Sequence, residues 1–237
     1  MKRLRNLCTY MSRTTSEQTH EHSKRDFLKT DLFAELRYIQ REFEHGSSVA
    51  QVHNLVGTCN LVSKNFTLDL EAISQLLPNT VFEKQKFAAI TMRIGEPTCT
   101  VLLFTSGKMV LTGCKSYLDC MIASLHILFL MRSNYPGIQF TIEPVQIQNI
   151  VGNADIQLTP SQYINLDRFY NDFNVFCTYQ PNMFPGLIYR PTHLNIVLLI
   201  FFSGKIVITG AKSMMDVFDG WSQLHDLICS YKQEKAE

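Results

Sequence analysis

From Asp26 to Phe43 the apolar residues Phe27, Leu28, Leu32, Leu36, Ile39 and Phe43 recur mostly at steps of three and four, the stripe of an amphipathic helix. His45-Gly46-Ser47-Ser48 closes it, because Gly46 can take the left-handed conformation that ends a helix. Beyond this break, strand patterns take over. Cys99 to Phe104 and Met109 to Thr112, joined by Thr105-Ser106-Gly107-Lys108, predict an antiparallel hairpin with a glycine turn. Asn195 to Phe202 with Ile206 to Thr209 predict its twin. Ser116 to Arg132 and Ser213 to Tyr231 predict long helices, each opening at a serine suited to N-capping. The longest apolar run, Cys120 to Met131, covers only about 12 residues against the roughly 20 of a membrane span, so it is expected as a buried helix.

The twin hairpins belong to a longer repeat. Sliding the chain by 97 residues sets Phe87–Ser116 on Phe184–Ser213, with 12 of 30 positions identical, where chance gives about two. The identities are Phe87/Phe184, Arg93/Arg190, Leu102/Leu199, Phe104/Phe201, Ser106-Gly107-Lys108/Ser203-Gly204-Lys205, Val110/Val207, Thr112-Gly113/Thr209-Gly210 and Lys115-Ser116/Lys212-Ser213. At an offset of 95, Asn54-Leu55-Val56-Gly57 matches Asn149-Ile150-Val151-Gly152. The chain is thus read as an N-terminal segment, 1–48, followed by one repeat over 49–140 and a second over 141–237. Each copy reads as strand, helix, several strands and a long helix. The expected fold is α+β: one continuous antiparallel sheet with pseudo-twofold symmetry, helices on one side and an open face on the other.

Composition narrows the function classes. The formal charge is +1, which gives no whole-chain support for a nucleic-acid binder, so a basic site has to be local. Residues 1–25 hold six Lys/Arg and two Glu with few large apolar side chains, and are expected to be disordered. Seven cysteines without one C-x-x-C pair argue against a zinc ribbon or a disulfide scaffold and for a reducing, intracellular setting, and the N-terminus lacks a secretory apolar region. There is no H-E-x-x-H, no G-x-S-x-G and no phosphate-loop spacing around Gly107-Lys108, so neither a catalytic constellation nor a cofactor is expected.

The open face carries the candidate chemistry. In the hairpins Leu102, Phe104, Val110 and Thr112, with Leu199, Phe201, Val207 and Thr209, share one face, while Val101 and Leu103 take the other. Both faces are apolar although helices cover only one, so something apolar has to dock on the second. Arg93, Lys108, Lys115, Arg190, Lys205 and Lys212 rim it symmetrically. An apolar floor with basic edges suits a duplex minor groove. One phenylalanine alone reads as core; four at symmetry-matched positions beside cations reverse that preference.

On these residues the chain resembles the TATA-binding protein family. The resemblance spans about residues 51–232 and rests on the paired Gln/His-Asn-Ile/Leu-Val, the paired Ser-Gly-Lys-x-Val-x-Thr-Gly and Phe184-Pro185-Gly186-Leu187-Ile188-Tyr189-Arg190. It implies a saddle-shaped sheet of ten strands and a transcription factor of the nucleus, not an enzyme. Its ligand would be double-stranded A/T-rich promoter DNA. Wedging into the minor groove and kinking of DNA are general properties of that family and are implied by the resemblance, not deduced from this chain. The implied wedge pairs are Phe87 with Phe104 and Phe184 with Phe201. The implied floor is Val56, Val110, Val151 and Val207 with Leu102 and Leu199, which leaves the guanine N2 amine unsatisfied. Asn54 and Asn149, with Thr112 and Thr209 beside them, would donate to adenine N3 or thymine O2. Further implied contacts fall on Lys86, Arg93, Ser106, Lys108 and Lys115, and on Gln148, Pro185, Arg190, Ser203, Lys205 and Lys212.

The chain also departs from the pattern. Residues 51–237 hold 13 Lys/Arg and 14 Asp/Glu, net −1, where members have a basic core. Ser116 to Met131 contains no Lys or Arg, so contacts with TFIIA do not carry over to this helix. Gly95-Glu96-Pro97 stands where Arg-Glu-Pro is usual, and His193 and Asn195 stand where cations are common. The loop Tyr179 to Phe184 lacks the glutamates that help hold TFIIB, although TFIIB-like and other general factors remain the implied partners. The rival expectation is a diverged relative acting through protein partners as a scaffold or competitor.

Overall fold

The structure is a computed structural model that describes residues 50–64 and 66–235. The expected disordered head, the helix at Asp26 to Phe43 and the break at Gly46 lie outside these residues.

Two similar units follow one another. The first comprises β1 (Gln51–Ser63), α1 (Leu70–Leu76), β2 (Thr80–Val81), β3 (Ala89–Ile94), β4 (Cys99–Phe104), β5 (Lys108–Cys114), α2 (Tyr117–Asn134) and β6 (Phe140–Ile142). The second comprises β7 (Gln146–Asp155), β8 (Gln162–Ile164), α3 (Leu166–Phe173), β9 (Cys177–Thr178), β10 (Leu187–Tyr189), β11 (Val197–Ile200), β12 (Lys205–Ala211), α4 (Met214–Cys229) and β13 (Lys232–Glu234). Ten strands run in the order β2-β3-β4-β5-β1-β7-β12-β11-β10-β9, all antiparallel. The order is a palindrome of the two units, and the β1–β7 pair sits at its centre. An eleventh strand, β6, pairs the far end of β1, and β13 pairs β8 separately.

Local chemistry sets the long helices. The Ser116 hydroxyl accepts the Asp119 N–H at 3.0 Å, and the Ser213 hydroxyl accepts the Asp216 N–H at 3.1 Å while Asp216 returns the bond to the Ser213 N–H at 2.9 Å. These are N-caps at the expected serines, with acidic residues against the positive helix ends. β5 is longer than its alternation predicts, and β11 is shorter. Pairing with β12 ends at Ile200–Ile206, after which Phe201 joins the turn.

Both long helices lie on one side of the sheet. Cys120, Ala123, Ile127 and Met131 of α2 are buried over β1, β4 and β5; Val217, Trp221, Leu224 and Ile228 of α4 are buried over β7 and β12. From the sheet, Leu55, Val101, Leu103, Leu111, Ile150, Leu198, Ile206 and Ile208 complete this core. Among the described residues no helix lies over the opposite face. The six described cysteines are free thiols.

Candidate nucleic-acid interface

The uncovered face is built from residues one position out of phase with the core. Across the strands Thr58 pairs with Val110, Val110 with Leu102 and Leu102 with Thr91; in the second unit Asn153 pairs with Val207, Val207 with Leu199 and Leu199 with Ile188. Directly paired residues point to the same side. Val56, Val110, Leu102, Val151, Val207 and Leu199 are therefore one floor, and all are half-buried. The rows match between the units, as the repeat predicts.

Each end of the floor carries two phenylalanine rings in contact. Phe87, in the loop before β3, meets Phe104 with ring centroids 6.0 Å apart and planes at 66°; Phe184, before β10, meets Phe201 at 5.8 Å and 68°. These are edge-to-face pairs of almost the same geometry. Phe87 is 46% exposed and Phe184 38%, large values for aromatic side chains that are not in the core. Ala89 is buried opposite Phe104, and Gly186, its counterpart, leaves room for both rings: a Cβ there would come within 2.7 Å of Phe184. Pro185, between Phe184 and Gly186, is exposed.

At the centre the sequence-predicted asparagines are anchored at one end. Asn54 Oδ1 accepts the Gly113 N–H at 2.8 Å, and Asn149 Oδ1 accepts the Gly210 N–H at 2.8 Å. Gly113 and Gly210 have φ of +87° and +86°, a conformation suited to glycine, and the ladder slips register beside both. Each bulge turns a backbone donor toward the asparagine. With the oxygen engaged, the amide nitrogen is left to donate; in the second unit Asn149 Nδ2 also lies 3.3 Å from the Thr209 hydroxyl. Gln148, another expected contact, is exposed and donates to the Thr58 hydroxyl at 2.8 Å.

Arg93, Lys108, Lys115, Arg190, Lys205 and Lys212 are all exposed, and none forms an ion pair among the described residues. Lys86 is exposed but paired with Glu83. Ser106 and Ser203 are exposed in the two hairpin turns, where the Ser106 hydroxyl accepts the Lys108 N–H at 3.3 Å. On the opposite side, α2 shows the departure noted in the sequence. Its one guanidinium, Arg132, donates to the Phe140 carbonyl at 3.0 and 2.6 Å, and the helix exposes Phe129.

Gln51, Thr58, Gln146 and Asn153 share the floor and escaped sequence reasoning. Gln51 pairs with Asn153, and Thr58 with Gln146. Carrying the 95-residue offset from the Asn-Leu-Val-Gly match out to both sides would have found all four.

Among the described residues no cluster of His, Cys, Asp and Glu is placed to hold a metal, and no helix is long and apolar enough to cross a membrane. The two-repeat open sheet with symmetric aromatic pairs defines a class of saddle proteins. The family model described as transcription factor TFIID (or TATA-binding protein, TBP) matches residues 49–133 and 144–231. The chain is 37% identical over 186 residues to a TATA-box-binding protein of Acetabularia peniculus, covering 78% of this chain and 92% of that one. It is 38% identical over 186 residues to TATA-box-binding protein 2 of Arabidopsis thaliana, covering 78% and 88%. Among solved structures it resembles the Methanococcus jannaschii TBP with a TM-score of 0.64 and 33% identity, over 77% of this chain and 99% of that one. The chain belongs to the TATA-binding protein family. It is a transcription factor of that type and not an enzyme.

Proposed function

We propose that this protein binds the minor groove of A/T-rich promoter DNA with its uncovered face, wedges its phenylalanines into the base stack and bends the duplex, and so nucleates assembly of the transcription initiation machinery in the nucleus. The observation that carries this reading is the symmetry of the two aromatic pairs, 6.0 and 5.8 Å between centroids, at opposite ends of one valine and leucine floor. A groove filled by that floor must lack the guanine amine, which would be desolvated without a partner at a cost of about 1–3 kcal/mol. Unstacking costs a few kcal/mol per step and is offset by burial of the saddle.

The partner surfaces have drifted further than the DNA face. With Arg132 as the only cation of α2 and held by a carbonyl, a basic contact to TFIIA has no counterpart there, whereas a TFIIB-like factor would meet a second loop without glutamates. The net −1 core favours a second reading, a relative that works as a scaffold or competitor through protein partners.

Selection of bound sequences from random duplexes, with bending read by energy transfer between the DNA ends, separates the two. Enrichment of A/T-rich sites that bend on binding supports the DNA reading. Absence of any enriched site overturns it in favour of the scaffold.

A further inference from the structure

The two halves of the floor are not chemically equal, and the difference falls at one place. At the 95-residue offset Gln51 matches Gln146, Asn54 matches Asn149 and Val56 matches Val151, but Thr58 matches Asn153 and Gln148 matches His53. In the first half the two polar side chains occupy one another, Gln148 Nε2 donating to Thr58 Oγ1 at 2.8 Å. In the second half neither the Asn153 nor the His53 side chain makes a hydrogen bond among the described residues. Asn153 sits half-buried on the floor beside Val207 and, with Phe201, lines the hollow next to the second aromatic pair.

We infer that Asn153 is a specificity-determining residue that makes the second-repeat half of the site accept a G·C pair which the first half rejects. The inference rests on the minor-groove reading above. An A·T or T·A pair shows only acceptors in the minor groove, while G·C adds the N2 amine donor. A free carboxamide meets both cases: Nδ2 donates to adenine N3, thymine O2 or cytosine O2, and Oδ1 accepts from the guanine amine. At the matching place the first half has the Thr58 hydroxyl, which is shorter than a carboxamide and already takes one hydrogen bond from Gln148. Asn54 and Asn149 are less free to serve the guanine amine, because the Gly113 and Gly210 N–H groups already take one lone pair of each oxygen and fix its direction. The protein would therefore read an asymmetric site and prefer one orientation on it.

The test uses the full chain and a duplex whose A/T site reads identically on both strands. G·C pairs are placed singly at each position and doubly at each dyad-related pair of positions, and affinity is read by fluorescence anisotropy. Because the protein can turn round on such a site, one pair of positions should tolerate a G·C at either member with only about a twofold loss, that of one of two equivalent orientations, while both together cost about thirtyfold or more. Asn153→Thr, which installs the residue of the first half, should remove the single tolerance. Thr58→Asn in the otherwise unchanged protein should make the double substitution tolerable. Equal thermal midpoints of the variants exclude a folding effect. Single costs equal to half the double cost on a logarithmic scale at every pair, or no change in Asn153→Thr, overturn the inference while leaving the minor-groove reading intact. Failure to bind the parent A/T duplex overturns both.

Discussion

Asn54 Oδ1 and the backbone N–H of Gly113 lie 2.8 Å apart, and 95 to 97 residues later Asn149 and Gly210 repeat the bond at 2.8 Å. A backbone donor thus fixes which end of each carboxamide faces the groove. Asn54→Asp keeps an acceptor for Gly113 but presents a carboxylate to groove acceptors. It is expected to lower affinity for A/T-rich duplex at least about a hundredfold with little change in thermal midpoint, whereas Asn54→Ala costs roughly tenfold to a hundredfold in affinity. Anisotropy titration and thermal melting check both, and an Asp variant that binds normally would refute the orientation.

Removing one aromatic pair should unbend the DNA. Phe184→Ala with Phe201→Ala deletes both rings of the second pair, and is expected to weaken binding by several kcal/mol and abolish most bending. Energy transfer between the duplex ends reads the angle directly. An angle equal to that of the unchanged protein would sink the wedge assignment.

Salt dependence reports how many cations reach phosphate. With a core of net −1, the slope of log K against log salt should be shallower than for a basic-core family member. Gly95→Arg should steepen it by about 0.9, one phosphate contact. A Cβ at Gly95 has nothing within 4 Å, so the substitution is sterically free. An unchanged slope would place position 95 away from the backbone of the DNA.

The two hairpin glycines should differ in tolerance. Gly107 has φ +85°, and a Cβ there would come 2.2 Å from the Leu61 carbonyl oxygen; Gly204 has φ +81°, but its nearest neighbour is the Leu158 side chain at 2.9 Å. A side chain can move where the backbone oxygen of a paired strand cannot. Gly107→Ala is therefore expected to cost more than Gly204→Ala, about 2 kcal/mol or more against about 1. Urea denaturation of the two variants measures the gap, and equal midpoints would contradict it.

Alkaline pH should weaken the fold through its thiols. Burial pushes Cys59 up to about 12, a hydrogen bond with Cys114 and then burial raise Cys99, and a bond with Cys120 raises Cys114, all from an ordinary value of 9.0. The folded thiols keep their protons after the unfolded ones have lost them. Their stabilisation is complete below about pH 9 and is lost as pH rises toward 12. Urea midpoints at stepped pH values should fall over that range, and a flat profile would show that the thiols are accessible when folded. Alkylation followed by mass spectrometry should likewise reach Cys177 and Cys229, which are half-buried, before Cys59, Cys99, Cys114 and Cys120.

Helix caps and hairpin turns are legible in the residues themselves. Ser116 and Ser213 cap their helices because an N-cap depends on residues within one turn, and the Ser-Gly-Lys turns close their hairpins because a two-strand turn is equally local. The repeat then supplies the symmetry, while the pairing of Phe87 with Phe104 and of Phe184 with Phe201 is implied by the family resemblance and appears as ring contacts in the fold. What the tertiary structure alone decides depends on strands distant in sequence. The Asn54–Gly113 clamp spans 59 residues and exists only because the β1–β5 ladder slips between Leu55 and Gly57, with the extra residue on β5 beside Gly113. The slip between Val56 and Gly57 against β7 likewise sets Gln148 within reach of Thr58. Register is fixed by which faces are buried once sheet and helices have assembled, and a shift of one residue reverses every side chain. No local pattern carries that information: the 95-residue offset sets Asn153 against Thr58, but only the fold shows that Gln148 engages Thr58 while the Asn153 side chain makes no hydrogen bond among the described residues.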